Sequence, residues 1–223
     1  MSKLFILGWD NCLISDVTLH KVHPSYVQMW QTVDPLMGAK WTFADTMRMQ
    51  GLSPQQVWNE LALLLGKEKA EHGRRIFYDT YRQLPVPPLT PNAELLLETL
   101  QTCGCDVVVV SNKNQSLLEE EIDRLQLGKL IDVALGTTAD SAVQFDPADP
   151  NQKLKSRCRL LEQAIGSCPD AEEVIVVAGA GYAEAAYRIK VDRFEEASAP
   201  VFDWVAAQVK EEADRATANK KQR

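Results

Sequence analysis

The sequence predicts an α/β protein with a doubly wound, Rossmann-like parallel sheet and a helical cap inserted after the first strand. An apolar strand, Lys3 to Leu7, runs into a small polar turn, and two continuous apolar runs, 107–110 and 174–177, are typical of strands buried on both faces. Segments with helical spacing of leucines separate these runs, and such alternation indicates parallel strands joined by helices. Because ligands bind at the carboxyl ends of strands in such sheets, the polar residues after each run are candidates for a functional site.

The pattern divides the chain into three parts. The predicted α/β core comprises residues 1–15 and 89–199, the helical cap comprises residues 16–88, and residues 200–223 form a carboxyl-terminal helix and polar tail. Within the cap segment there is no clear strand, and Ser53-Pro54 is a typical helix start. Thr90-Pro91 is predicted to cap the first helix of the returning core.

Composition restricts the kinds of partner. The chain of 223 residues carries 24 basic and 31 acidic side chains, and its net charge of −7 argues against binding to nucleic acid or to an anionic membrane surface. No apolar run reaches the roughly 18 residues that a membrane span needs, and the amino end lacks a signal-peptide pattern, so we expect a cytoplasmic protein without membrane insertion. The five cysteines have no zinc-site spacing and are predicted to be reduced and mostly buried.

The order of the motifs resembles the haloacid dehalogenase superfamily, and within it the phosphoglycolate-phosphatase-like branch with a small helical cap. The resemblance covers residues 3 to about 190 and rests on Trp9-Asp10-Asn11, Leu89-Thr90-Pro91, Ser111-Asn112-Lys113 and the run that ends at Gly179. It implies hydrolysis of phosphate esters by an aspartate on the first strand, with a second aspartate two residues on as acid and base. It also implies a hydroxyl in the second motif, a lysine in the third, and acidic residues in the fourth that hold Mg²⁺.

Matched residue by residue, the first two motifs keep part of this chemistry. The nucleophile position falls on Gly8, which has no side chain, whereas Asp10 matches the acid and base. Asn11 stands at the usual glycine of the turn. Ser111 matches the phosphate-binding hydroxyl, and Lys113 follows it as in relatives.

The last two motifs lose more. The third-motif lysine falls near Phe145 or Asp146, so a positive charge becomes apolar or negative. The fourth motif keeps only Glu184, because Ala180 stands in place of an aspartate. Lys153 or Lys155 is close enough in sequence to replace the lost lysine, and a solvated helix face is the other interpretation of this pair. The predicted vestigial positions are Gly8, Asp10, Asn11, Ser111, Lys113, Asp146, Ala180 and Glu184, with no catalytic, cofactor-binding or metal-binding residue among them.

These losses lead to the expectation that the chain is not an enzyme but an inactive pseudophosphatase. We expect it to act as a binding or structural subunit of a larger assembly, with protein partners at the cap and the carboxyl-terminal helix and with no cofactor. The alternative is a phosphatase with a rearranged site acting on a small phosphate ester. In that case Asp10 is the nucleophile or base, Lys113, Lys153 or Lys155 supplies positive charge, and Mg²⁺ is the cofactor. A third possibility is a cleft that binds a small anion without turnover.

Overall fold

A five-stranded, all-parallel sheet forms the centre of the protein, as seen in a computed structural model that describes residues 2–14, 54–138, 149 and 151–221. The strands are β1 (Lys3–Gly8), β2 (Asp106–Asn114), β3 (Val133–Thr137), β4 (Glu173–Ala178) and β5 (Arg193–Glu196). They lie in the order β3-β2-β1-β4-β5, which places β1 in the middle with β2 and β4 on its two sides. The predicted α/β fold with a Rossmann-like parallel sheet is confirmed.

Helices connect the strands and cover the sheet. Two belong to the cap segment, α1 (Pro54–Leu65) and α2 (Lys67–Gln83). The others are α3 (Ala93–Thr102), α4 (Gln115–Arg124), α5 (Gln152–Ser167), α6 (Ala183–Ile189) and α7 (Ala199–Lys221). A short 3-10 helix, Ala180–Tyr182, separates β4 from α6.

Alternate residues of the central strand point into two hydrophobic cores, one on each face of the sheet. Phe5 and Leu7 join a cluster with residues of α3, α4 and α7, whereas Leu4 and Ile6 join a cluster with residues of α5 and α6. All four side chains are fully buried. A strand buried on both faces needs an uninterrupted apolar sequence, which explains why the apolar runs predicted the strands so directly.

The described part of the cap segment has its own small core. Val57, Trp58 and Leu61 of α1 pack against Ala70 and Phe77 of α2. Apolar spacing predicts the second helix only from residue 74 to 82, but it begins at Lys67, because a charged first turn carries no apolar signal. The first part of the cap segment, residues 16–53, lies outside the described residues.

One local prediction is wrong. Thr90 does not cap α3; its hydroxyl donates to the carbonyl of Cys12 at 2.5 Å, and Asn92 precedes the helix in a left-handed conformation. Helix α7 continues through the polar residues after Val209 as far as Lys221. In the part of the chain that the structure describes, no helix is long and apolar enough to cross a membrane.

Candidate functional site at the carboxyl edge of the sheet

The turn after β1 brings the first-motif residues to the carboxyl edge of the sheet. The amides of Leu13 and Ile14 donate to the carbonyls of Gly8 and Trp9 at 3.2 and 3.1 Å, which closes the turn on itself. Asn11 has a φ of 59°, a left-handed conformation that asparagine tolerates better than most residues. The turn leaves Asp10 exposed at the sheet edge while Trp9 is fully buried beneath it.

The Asp10 carboxylate is held by both second-motif side chains. Ser111 Oγ donates to Oδ2 of Asp10 at 2.8 Å, and the Lys113 ammonium lies 3.1 Å from Oδ1. The Asp10 side chain is 47% exposed, so its carboxylate remains open to a ligand although both oxygens have a partner. The structure thus brings together three of the residues that the sequence singled out.

A buried glutamate of α4 anchors the lysine. Glu121 accepts hydrogen bonds from the Lys113 ammonium at 2.7 Å, from the Trp9 indole N–H at 2.7 Å and from the Tyr81 hydroxyl at 2.6 Å. Its side chain is only 3% exposed, and a buried carboxylate is tolerated only when it is paired in this way. Glu121 is not among the residues predicted from the sequence, although of the three glutamates before Ile122 it is the one spaced to share the apolar face with Leu117 and Leu118, which is a signal for a buried partner.

Tyr81 connects the cap segment to this cluster. Its hydroxyl also accepts from Lys113 at 2.9 Å, and the ammonium lies 5.4 Å from the centre of its ring. Burial raises the pKa of the Tyr81 phenol, with help from the negative charges of Glu121 and Asp10 and against the effect of Lys113. The phenol is therefore a neutral donor to Glu121 at physiological pH.

Lys113 is a fixed cation in this arrangement. Burial alone would lower its pKa, but Asp10, Tyr81 and Glu121 outweigh burial and raise the pKa well above its ordinary value of 10.5. The side chain is 11% exposed. A charge held so firmly is suited to stabilising negative charge and unsuited to donating a proton.

The fourth-motif loop lies against the Asp10 turn but carries no carboxylate into it. A Cβ atom on Gly179 would lie 3.5 Å from the carbonyl oxygen of Asn11, which shows how closely the two loops approach. Ala180 follows on the surface, and the Glu184 carboxylate instead accepts from Arg188 at 2.7 Å along α6. The structure does not bring Glu184 to Asp10.

Helix α5 lies next to the end of β2, where a third-motif cation is expected. Ser156 Oγ donates to Oδ1 of Asn112 at 3.1 Å. Lys155 pairs with Asp149 at 2.6 Å and is 60% exposed, whereas Lys153 is half-buried. Asp146 lies outside the described residues, so the structure does not test the predicted position of the third motif.

The residues present do not fit a Mg²⁺ site of the kind that the resemblance implies. Positions 8 and 180 offer no carboxylate, and the Asp10 carboxylate is already paired with an ammonium. Over the described ranges, no group of three or more His, Cys, Asp or Glu side chains is arranged to hold a metal. Mg²⁺ usually takes oxygen ligands in octahedral geometry, which a single carboxylate does not supply.

The packing around Gly8 leaves little space for a side chain at this position. A Cβ atom on Gly8 would lie 3.1 Å from Cβ of Ala178 and 3.3 Å from Cβ of Cys12. The Cys12 thiol in turn donates to the carbonyl of Val177 at 3.2 Å. Side chains from β4 and from the turn therefore fill the volume beside Gly8.

Comparison with known proteins identifies the fold. No family model and no curated protein matches the chain. Among solved structures, it is similar to a putative beta-phosphoglucomutase from Thermotoga maritima (17% identity, TM-score 0.56, 95% of this chain and 99% of that chain covered). It is also similar to a putative haloacid dehalogenase-like hydrolase from Bacteroides fragilis (14%, 0.59, 90% and 100%) and to a predicted phosphoglycolate phosphatase from Haemophilus somnus (15%, 0.59, 86% and 84%). The chain has the haloacid dehalogenase fold, which confirms the resemblance at the level of the fold.

The comparison corrects the expectation that the chain is not an enzyme. Several solved structures that share its fold are named as hydrolases, a phosphatase and phosphoglucomutases, and one is named as a protein tyrosine kinase from Mycobacterium tuberculosis. The prediction of a pseudo-enzyme rested on the missing groups at Gly8 and Ala180. It gave too little weight to the groups that remain, because Asp10, Ser111 and Lys113 still form an organised cluster at the edge where such enzymes bind substrate.

Proposed function

We propose that the protein is a phosphatase of the haloacid dehalogenase type that acts on a small phosphate ester through a rearranged site centred on Asp10. The observation that carries the proposal is the Asp10 carboxylate, 47% exposed at the carboxyl end of β1 and held between Ser111 and Lys113. The names of the solved structures with this fold support the reaction class. They favour this alternative over an inactive subunit.

The cluster supports two routes for the reaction. In the first, an Asp10 oxygen bonds to phosphorus while the ester P–O bond breaks, and the leaving oxygen takes a proton from solvent. Water then attacks phosphorus of the acyl phosphate, releases its proton to solvent, and restores the carboxylate as inorganic phosphate leaves. In the second, Asp10 removes a proton from the water that attacks the ester directly, and then passes this proton to the leaving oxygen.

Ser111 and Lys113 have the same roles in both routes. Their hydrogen bonds fix the orientation of the carboxylate before substrate arrives, and such preorganisation lowers the barrier. Lys113 pairs with Asp10 in the free protein. Its ammonium is available to phosphoryl oxygens once the Asp10 charge is used in bond formation.

The decisive experiment compares the purified full chain with Asp10→Asn on an aryl phosphate. We expect turnover by the wild-type chain and a loss of at least about a thousandfold in the variant, since removal of an essential nucleophile or base has effects of this size. Asp203→Asn is the matched control, because Asp203 lies on α7 and contacts Asn92 rather than the cluster. Equal turnover by wild type and Asp10→Asn, or no turnover by the wild type on any of a panel of small phosphate esters, would contradict the proposal.

Acid quenching separates the two routes. With protein in excess over substrate, the first route leaves a phosphoryl group on the peptide that contains Asp10, which mass spectrometry detects and hydroxylamine removes. The second route gives the same product without this species. Detection on any other residue would overturn the assignment of Asp10.

The partner, cofactor and location remain predictions from the sequence. We keep the proposal of a protein partner at the cap and at α7, which continues for twelve residues beyond Val209, its last buried apolar residue. From the motifs and the charge we expect no nucleic-acid binding, no membrane insertion and a cytoplasmic location. The sequence predicts no cofactor for an inactive chain and Mg²⁺ for a rearranged phosphatase, although the residues around Asp10 do not fit a Mg²⁺ site. Truncation from residue 213 in a pull-down from native cells tests the α7 contact, and retention of the same stoichiometric partner by the truncated chain would exclude it.

A further inference from the structure

A guanidinium group from α5 lies against the fourth-motif loop. A Cβ atom on Gly181 would lie only 2.7 Å from an Nη atom of Arg157 and 2.9 Å from its Cζ. The guanidinium also lies 5.6 Å from the centre of the Tyr182 ring. The absence of a side chain at Gly181 thus makes room for a cation beside the position where relatives are expected to carry an acidic residue.

This loop connects Arg157 to the Asp10 turn. Gly179, two residues before Gly181, approaches the backbone of Asn11, the residue after Asp10. Burial raises the pKa of the Tyr182 phenol, Arg157 opposes this, and the Asp10 charge adds to it, so both charges act on the same ring. Arg157 therefore contacts the same loop that approaches the Asp10 turn, and Lys113 contacts Asp10 directly.

The cations of α5 lie close together although their charges repel. Lys153 and Arg157 are four residues apart on one helix, a spacing at which like charges destabilise each other. Burial lowers the pKa of Lys153, and the Arg157 charge lowers it further. Arg157 Nε is buried and has no hydrogen-bond partner among the residues that the structure describes. An anion bound here would reduce the repulsion between the Lys153 and Arg157 charges. It would also accept hydrogen bonds from the Arg157 guanidinium.

The charge balance differs from that of a metal site. The cluster contains two carboxylates, Asp10 and Glu121, and the charge of Glu121 is taken up by three donors. Against these two negative charges stand three positive ones, on Lys113 and on Lys153 and Arg157 of α5, which leaves a net charge of +1 when Lys113 is counted once. A phosphate dianion beside a carboxylate needs positive charge, and here side chains provide it.

We propose that Arg157, with Lys153 beside it and Lys113 across the Asp10 turn, supplies the fixed positive charge that binds a phosphoryl group, so that binding requires no divalent metal. This inference rests on the proposed function because it concerns the same site. Arg157 is then a binding residue that the sequence motifs did not indicate.

The test measures binding of inorganic phosphate to the full chain by titration calorimetry, in EDTA and in Mg²⁺. We expect the dissociation constants in the two buffers to agree within about threefold. Arg157→Gln should weaken phosphate binding by about tenfold, the effect of losing one charge-assisted hydrogen bond, and Arg157→Lys should fall between the two. Arg215→Gln is the matched control, because Arg215 is 71% exposed on α7 and pairs with Glu211.

Several outcomes distinguish this inference from the proposed function. Phosphate binding that is absent in EDTA and restored by Mg²⁺ would overturn the inference on the wild-type chain alone, even if Arg157→Gln does not fold. A folded Arg157→Gln that binds phosphate as tightly as the wild type would also overturn it. Turnover that depends on both Asp10 and Mg²⁺ would support the proposed function and would contradict the inference that no divalent metal is required. Metal-free, Arg157-dependent phosphate binding without turnover of any ester supports the inference and counts against the proposed function.

Discussion

The Lys113 ammonium lies 2.7 Å from the Glu121 carboxylate and 3.1 Å from that of Asp10, so one cation bridges a buried and an exposed acid. The two contacts have different roles. Glu121, which is 3% exposed, fixes the lysine in the protein, whereas Asp10, which is 47% exposed, faces the solvent in which a substrate arrives. A substrate can replace the second contact without disturbing the first.

Replacement of Glu121 by glutamine should destabilise the fold. The new side-chain amide would present its own donors to at least one of Lys113, Trp9 and Tyr81, which are all donors at this position. We expect the free energy of unfolding, measured with urea, to fall by about 2–4 kcal/mol. Glu120→Gln is the control, because Glu120 is 46% exposed, and its contact with Arg82 is worth at most about 1 kcal/mol. Equal effects of the two substitutions would refute an anchoring role for Glu121.

Alkaline pH should weaken the fold through Tyr81. Its ordinary pKa is 10.0, and burial in the folded state raises the pKa above that value. Above about pH 10 the unfolded chain releases this proton while the folded chain keeps it, so the free energy of unfolding falls by about 1.4 kcal/mol per pH unit. Below this pH the contribution of Tyr81 is constant. Lys113 acts in the same direction, because its pKa is also raised in the folded state and its stabilisation is lost as pH rises above 10.5.

Tyr81→Phe isolates the tyrosine part of this effect. Between about pH 9 and pH 11 the free energy of unfolding of the variant should fall less steeply with pH than that of the wild type. The reason is that unfolding of the variant releases about one proton fewer at the upper end of this range. Urea titrations over this range measure both slopes. Tyr187→Phe provides the control, since Tyr187 is 84% exposed. A slope for Tyr81→Phe that equals that of the wild type would contradict the buried, protonated phenol.

Adding one methyl group at Gly8 should cost stability. The new Cβ atom would lie 3.1 Å from Cβ of Ala178 and 3.3 Å from Cβ of Cys12, and overpacking of this kind costs about 1–3 kcal/mol. Thermal or urea unfolding of Gly8→Ala measures the loss. Gly166→Ala is the matched control in α5, where nothing lies within 4 Å of the added atom, and it should stabilise the helix by about 0.5–1 kcal/mol. A Gly8→Ala chain as stable as the wild type would disprove the close packing beside β1.

The five cysteines are free, as predicted, but only Cys12 is fully buried and the other four are half-buried. Burial raises the pKa of the Cys12 thiol, and burial raises the pKa of Cys105 to about 11. In the native protein near neutral pH, iodoacetamide should leave Cys12 unmodified and should react slowly with Cys105, because the thiolate is the reactive form. Peptide mass spectrometry reads the modification, with urea-unfolded protein as the control in which all five react. Rapid modification of native Cys12 would contradict its burial.

Much of the sheet and part of the site follow from the sequence alone. The apolar runs predict strands because a central parallel strand is buried on both faces, and strand ends meet at one edge of the sheet. This reasoning brings Asp10, Ser111 and Lys113 together correctly. The conformations of the two neighbours of Asp10 also agree with their residue types. Asn11 tolerates the left-handed conformation of the turn, and the large apolar side chain of Trp9 is buried in the core.

The partners of these residues could not be predicted in the same way. Tyr81 reaches Lys113 from a different segment of the chain, and Arg157 reaches Gly181 because a glycine leaves space there. Both contacts depend on how helices pack on the sheet, which periodicity does not fix. The same applies to Thr90, whose hydroxyl prefers a carbonyl of the first turn to the helix that follows it.

The close packing around Gly8 bears on any attempt to place a carboxylate at this position. The Cβ atom of any larger residue at this position would lie 3.1 Å from Cβ of Ala178 and 3.3 Å from Cβ of Cys12, so these neighbours would have to move by a few tenths of an ångström to admit an aspartate. An engineer who wishes to rebuild the ordinary nucleophile should begin on β4, at Ala178, and only then alter β1.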